Sequence, residues 1–286
     1  MRIRYALSIA ALLSTASAAD LKEETVKAWD DYIGTVSTGM EQRITASDPF
    51  LWTDELAGRK QQLHAGKIIV APVDQHVPKR VPSGLIHHWI GAAFIPNKTV
   101  EEVFSVTRNY ERYSEYYGPA VVDAKPISKF LSEDRFSLLL MNKSVLLKTA
   151  VEGEYQSRYF HLDQERWYSV SFATRIQEIE NYRQPAERKL PAGTGSGFVW
   201  RIASFTRFEQ RDGGVYIEVE AIVLSRDIPG AIRWFVNPIV RRLSRSSLET
   251  SLRQTQDAVA RTVVTNDWRR PTRHAGRQSF KPALYE

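Results

Sequence analysis

Aromatic residues with a polar tip are the part of this sequence best suited to holding a small molecule. Tyrosine and tryptophan each combine an apolar ring with one hydroxyl or N–H group, which suits an amphiphile carrying a hydroxyl or a carbonyl. Taken singly, each fits an ordinary core position better than a ligand contact. The candidates to line a cavity together are Tyr113, Tyr116, Tyr117, Tyr155, Trp200, Ile202, Trp234 and Phe235.

Two charged residues, Arg175 and Glu220, occur in predicted strands that are otherwise rich in small and apolar residues. An inward side chain would be a buried charge that needs a partner, and both are therefore candidate ligand contacts. An outward side chain would simply be solvated. The pattern favours the outward orientation and leaves the inward one open.

The sequence offers no recognisable catalytic set, metal site or cofactor motif. The absence of cysteine excludes disulfides, thiol nucleophiles and cysteine-based metal sites. His87 and His88 are adjacent, and on a strand they point to opposite faces, so they cannot form a ligand pair. Gly193, Gly195 and Gly197 precede a strand instead of opening a helix, which excludes a phosphate-binding loop. We predict that the chain has no cofactor, and the sequence favours a binding protein over an enzyme.

A long amphipathic helix is predicted to cover the cavity that the candidate aromatic residues would line. It is predicted within the stretch from Ile228 to about Val264, with Asn237 as its N-cap and Pro238 as its first helical residue. Its apolar stripe makes Val240, Leu243 and Ser247 candidates for the roof of the cavity, with Trp234 and Phe235 at its entrance. Ser246 and Ser247 interrupt the stripe, either to leave room for a ligand or because they are surface residues.

The rest of the pattern predicts antiparallel strands. Residues 145–155 and 215–223 alternate between apolar and polar side chains, as in half-buried strands. Asp212 and Gly213 suit the tight turn of a hairpin. A strand at 85–95 leads into a helix that Thr99 and Glu102 begin with a capping box. The prediction is an α+β fold in which a curved antiparallel sheet of about six or seven strands wraps around the C-terminal helix.

Four segments are predicted along the chain. Residues 1–19 have the basic start, apolar run and small residues of a signal peptide, so the mature protein is expected to be exported and to act in the periplasm or outside the cell. Residues 20–82 form a helical N-terminal appendage and residues 83–262 the main domain. Residues 263–286 form a basic tail. The tail suits transient contact with an anionic membrane surface, but its composition favours a solvated extension, and export disfavours nucleic acid.

The order of the segments LIHHWIGAAFI, TVEEVFSVTRNYERYSEYY, RDGGVYIEVEAIVLSRDIP and SSLETSLRQTQDAV resembles the START-like superfamily (SRPBCC), which has the helix-grip fold. The resemblance covers roughly residues 84–262 and is closest to exported bacterial START-domain proteins. It implies a cavity between sheet and helix that holds a lipid, sterol, quinone or polyketide-like molecule. Two alternatives stay open: a cyclase or dehydratase that uses the same cavity, and an envelope scaffold without a ligand. The sequence leaves the oligomeric state open.

Overall fold

The computed structural model describes residues 20–45, 48–143, 148–228 and 230–262, without the side chains of residues 142–143, 148–149 and 230–239. The predicted signal peptide and basic tail lie outside the described residues. The described helices are α1 (Glu23–Ile44), α2 (Ala57–His64), α3 (Val100–Thr107), α4 (Tyr113–Tyr116) and α5 (Gly230–Arg261), with 3-10 turns at Trp52–Glu55 and Tyr110–Arg112. None of them is long and apolar enough to cross a membrane.

Ten described strands form one curved antiparallel sheet. They are β1 (Ile69–Pro72), β2 (Lys79–Val81), β3 (Gly84–Pro96), β4 (Val121–Lys129), β5 (Glu133–Lys143), β6 (Lys148–His161), β7 (Arg166–Glu180), β8 (Arg188–Lys189), β9 (Arg201–Arg211) and β10 (Gly214–Arg226). The main order is β1-β3-β10-β9-β7-β6-β5-β4, with β2 beside β3 and β8 beside β7. The prediction of six or seven strands was too low, because β1, β2 and β8 are short pieces in Pro-rich or loop sequence.

The inner face of the sheet, defined by Ile217 and Val219 of β10, packs against helices α3 and α5. Helix α5 packs directly on the sheet at Gly91 of β3. A β-carbon placed on Gly91 would come within 2.7 Å of the Leu252 side chain and 3.0 Å of the Leu248 side chain. Glycine is therefore what allows the helix and the strand to approach this closely.

The outer face of the sheet, defined by Tyr216 and Glu218 of β10, is covered by the N-terminal segment. Trp29 and Ile33 of α1 are fully buried there with Ile222. Segment 20–82 also supplies β1 and β2 to the main sheet. The described part of segment 20–82 is thus an integral layer of the fold.

Two local signals behave as predicted and one does not. Thr99 and Glu102 form the capping box of α3, and Asp212 and Gly213 have the positive φ values, 55° and 76°, of the predicted hairpin turn. The predicted helix start at Asn237 and Pro238 is wrong, since α5 begins at Gly230. An interior proline costs about 3 kcal/mol, which a helix of 32 residues can offset.

Candidate functional site

A cavity of about 470 Å³ lies between the inner face of the sheet and one side of α5. Three kinds of surface line it: an aromatic wall, a floor of strand hydroxyls, and the flank of α5. Among the described lining residues there is no Asp, Glu, Lys, Arg or His. The cavity is of the size that small-molecule sites usually have, and its lining is uncharged.

The aromatic wall is a column of three stacked rings. Tyr110 stacks on Phe136 with ring centroids 4.0 Å apart, and Phe136 stacks on Tyr155 at 5.4 Å. Tyr155 fits because Gly153 has no side chain, since a β-carbon there would lie 2.7 Å from the Tyr155 ring. The column presents a flat apolar surface with hydroxyls at its margins.

The floor is a patch of hydroxyls that the strand register brings together. In β6, β7 and β9, Ser157 lies opposite Ser171, Ser171 opposite Ser204, and Ser169 opposite Thr206. Alternate residues of a strand share a face, so all five side chains point into the cavity. Ser157 and Ser171 hydrogen bond to each other. In the described part of the chain, Ser204 and Thr206 make no side-chain hydrogen bond and can serve a ligand.

The mouth of the cavity runs along α5. Ser247, Thr250 and Ser251 line the cavity and are also exposed, so this flank of the helix borders solvent. Leu252 and Thr255 line it further in and are buried. The helix therefore closes the cavity with one buried edge and leaves a polar rim open.

A buried ion pair supports the aromatic wall. Arg108 binds the Asp134 carboxylate with two hydrogen bonds, of 2.8 and 2.6 Å. Tyr110 donates to the same carboxylate at 2.8 Å, and the hydroxyls of Tyr110 and Tyr159 lie 2.9 Å apart. A chain of hydrogen bonds thus leads from the ion pair to Tyr159 at the cavity surface.

Burial controls the ionisation of the cavity tyrosines. It raises the pKa of both Tyr117 and Tyr159 to about 12. It also raises the pKa of Tyr113 well above its ordinary value. These phenols therefore remain protonated at neutral pH and act through hydrogen bonds, without charge.

Five of the predicted site residues line the cavity: Tyr113, Tyr117, Tyr155, Ile202 and Ser247. Elements far apart in the chain, α4, β6, β9 and α5, bring them together. Their contact with a ligand stays a prediction.

Four other predicted residues lie outside the cavity lining. Tyr116 is buried beside it, and Trp200 packs in the core of the outer face. Val240 and Leu243 are partly exposed, because the part of α5 that borders the cavity begins only at Ser246. Of the predicted roof, Ser247 lines the cavity, and Leu252 and Thr255 take the place of Val240 and Leu243. The side chains of Trp234 and Phe235 lie outside those described.

Arg175 and Glu220 are not cavity residues. Arg175 is exposed and pairs with Glu154 at 3.3 Å, as the outward orientation predicts. Glu220 also points outward, but the prediction that it is solvated is wrong, because the N-terminal segment covers this face. Its carboxylate accepts a hydrogen bond from Arg207 at 2.6 Å and lies 3.1 Å from His88 Nε2. Strand alternation identifies the face of a side chain and not what covers that face.

The cavity residues that the sequence analysis missed are mainly the floor hydroxyls. Their signal was present as alternate small hydroxyl residues in two predicted strands: Ser169 and Ser171, then Ser204 and Thr206. Tyr110, Phe136 and Tyr159 carried no such signal, since isolated aromatic residues on strands and turns are common in any core. In the part of the chain that the structure describes, no cluster of residues is arranged to hold a metal ion.

The strand order and the closing helix define a helix-grip fold. The chain matches no protein-family model and no curated protein sequence. Similar solved structures include a STAR-related lipid transfer protein from Xanthomonas axonopodis, with 11% identity, 68% of this chain and 98% of that chain covered, and a TM-score of 0.43. An aromatase/cyclase from Streptomyces has 9% identity, with 62% of this chain and 94% of that chain covered and a TM-score of 0.37. A START superfamily protein from Mycobacterium smegmatis has 9% identity, with 61% of this chain and 97% of that chain covered and a TM-score of 0.38. Since these TM-scores are below 0.5, the fold assignment rests on the topology of the chain itself.

Proposed function

We propose that this protein binds a small, uncharged amphiphilic molecule in the cavity between the sheet and α5. The observation that carries the proposal is the lining, which combines a stacked aromatic wall with neutral hydroxyls and contains no charged side chain among the described residues. An ionised headgroup would find no counter-ion there, and a purely apolar molecule would leave the floor hydroxyls unpaired. Neutral lipids, sterols, quinols and polyketide-like phenols have the required character.

Binding without catalysis is favoured over a cyclase or dehydratase activity. The hydrogen-bond chain from Tyr159 to Asp134 is the observation that favours an enzyme. General acid or base catalysis works best with a group whose pKa is near the working pH, whereas Tyr159 has a pKa of about 12. A scaffold role without a ligand predicted no cavity, and the cavity counts against it.

The protein is also proposed to act after export, since residues 1–19 have the pattern of a signal peptide. An exported binding protein of this kind would hold a hydrophobic molecule while it passes through water. Transient contact with a membrane surface would serve loading and release, and the basic segment 263–286 is the proposed contact.

The test is to express the full chain in a bacterium, purify it from the periplasm, and combine native mass spectrometry with solvent extraction. We expect a reproducible neutral small molecule on a protein whose mass shows cleavage near Asp20. A ligand-free protein that shows no thermal shift with lipids, sterols or quinones would overturn the proposal.

A matched pair of variants separates the cavity from the rest of the sheet. Ser204→Trp fills the floor and should abolish co-purification of the ligand. Ser137→Trp is the control, because Ser137 lies between the cavity residues Phe136 and Leu138 and therefore points to the other face of β5. It should retain the ligand at the level of the unmodified protein. Equal retention by both variants would place binding elsewhere.

A further inference from the structure

Most tyrosines of the cavity already use their single hydroxyl proton within the protein. Tyr113 donates to the backbone carbonyl of Thr107, and Tyr110 donates to the Asp134 carboxylate. A phenol has one proton and two lone pairs, so Tyr110 has none left for Tyr159. In their 2.9 Å hydrogen bond, Tyr159 must therefore be the donor.

The same reasoning applies where α5 meets the aromatic wall. Thr255 donates its hydroxyl proton to the backbone carbonyl of Ser251 at 2.9 Å. Its hydroxyl oxygen lies 3.1 Å from the hydroxyl of Tyr117. Since the only proton of Thr255 is already used, Tyr117 must donate to Thr255.

Tyr113, Tyr117 and Tyr159 form what we term the acceptor cluster. All three line the cavity, and their oxygens can offer a ligand only lone pairs. A ligand carbonyl or ether oxygen facing them would bring two acceptors together and leave both unpaired, which is costly in a buried site. A ligand hydroxyl satisfies the same oxygens. The hydroxyls of Ser204, Thr206 and Tyr155 can each donate or accept, so they do not discriminate between the two kinds of ligand.

We infer that the bound molecule presents at least one hydroxyl hydrogen to the acceptor cluster, so that the site selects alcohols, phenols or hydroquinones over the corresponding ketones, ethers or quinones. This inference rests on the proposed function of the cavity. It adds that the ligand carries a hydroxyl donor, a property that neither its size nor its hydrophobicity determines.

The experiment compares probes that differ only in the donor. Two pairs suit the cavity: 2-naphthol with 2-methoxynaphthalene, and 5α-cholestan-3β-ol with 5α-cholestan-3-one. Dissociation constants are measured on the full chain, stripped of any co-purified molecule, by fluorescence titration or calorimetry. We expect the hydroxyl member of a pair to bind about three- to tenfold more tightly, the ratio that one neutral hydrogen bond supplies.

The variant Thr255→Val tests the direction of the hydrogen bonds. It removes the acceptor of the Tyr117 proton, which becomes available to a ligand, so the preference should fall to near one or reverse in favour of the ketone or ether. The matched control is Thr262→Val, directly after the last residue of the same helix; the Thr262 hydroxyl makes the same kind of bond to the Ala258 carbonyl at 2.8 Å and lies outside the cavity lining. It should keep the preference of the unmodified protein.

A second variant, Tyr159→Phe, removes the two lone pairs of the Tyr159 oxygen and should also reduce the preference for the hydroxyl probe. This variant provides the test if Thr255→Val does not fold. Equal affinities within both pairs, or tighter binding of the ketone or ether by the unmodified protein, would overturn this inference while the proposed function stands. Failure of every probe to bind would overturn the proposed function and the inference with it.

Discussion

At the scale of the residue, the adjacent side chains of His87 and His88 lie on opposite faces of β3 and have different surroundings. His88 faces outward, 2.9 Å from the Tyr32 hydroxyl and 3.1 Å from the Glu220 carboxylate. His87 faces inward, with Nε2 3.0 Å from the Ser225 hydroxyl and Nδ1 buried without a partner among the described residues. The strand alternation was predictable, but the partners were not.

Burial lowers the pKa of His87 to about 4. The unfolded chain therefore binds more protons than the folded protein between about pH 6.5 and pH 4. The stability contributed by neutral His87 is present above that window and is lost as the pH falls through it. The shift corresponds to about 3 kcal/mol across the whole window.

We expect the free energy of unfolding to fall more steeply between pH 7.5 and pH 4.5 in the unmodified protein than in His87→Gln, as measured by urea denaturation. His76→Gln is the control, because the His76 side chain is exposed. It should follow the unmodified protein. Identical slopes for all three proteins would show that the pKa of His87 is the same in the folded and the unfolded state.

At the scale of the element, α5 is positioned by its contact with β3 more than by its own start signal. Leu248 and Leu252 lie over Gly91, and from this contact the helix continues past the cavity mouth. Asn237 and Pro238 lie inside the helix instead of beginning it. Tertiary packing of this kind overrides local capping preferences.

Gly91→Ala should destabilise the fold by about 1–3 kcal/mol, since the added methyl would overlap the two leucines. The control is Gly58→Ala in α2, where a β-carbon would meet nothing within 4 Å. That change should be neutral or stabilising by up to about 1 kcal/mol. Chemical denaturation of both variants makes the comparison. A neutral Gly91→Ala would mean that α5 can shift away from the sheet without cost.

At the scale of the whole molecule, the outer face of the sheet is a second core with a buried charge network at its centre. Arg207 is fully buried and contacts Glu218 at 3.1 Å and Glu220 at 2.6 Å. Glu218 also accepts hydrogen bonds from the backbone N–H groups of Trp52 and Thr53. The network therefore ties segment 20–82 to the sheet.

Arg207→Leu should cost about 3–5 kcal/mol, because it leaves two buried carboxylates without their cation. Arg175→Leu is the control on the exposed Arg175–Glu154 pair and should cost no more than about 1 kcal/mol. Thermal and urea unfolding of both variants test this, and limited proteolysis within residues 20–82 reports whether the segment has detached. Similar costs for the two variants would contradict the role of the network.

Periodicity and turn chemistry were enough to predict the α+β class, the capping box at Thr99, the hairpin at Asp212 and Gly213, and the opposite directions of His87 and His88. These features depend on neighbours within a few residues, so a local pattern carries them. Segment 20–82, the short strands and the start of α5 depend on partners far away in the chain. The sequence does not encode such partners locally.

The tyrosines and tryptophans that first suggested a binding site also separate what the local sequence determines from what distant partners determine. The sequence by itself determined that aromatic residues with polar tips are concentrated in this chain and that its strands present alternating faces. Only the tertiary structure decided that Tyr113, Tyr117 and Tyr155 share a cavity while Trp200 lies in the opposite core. It also decided which hydrogen-bonding partner each cavity hydroxyl meets, because those partners come from other elements.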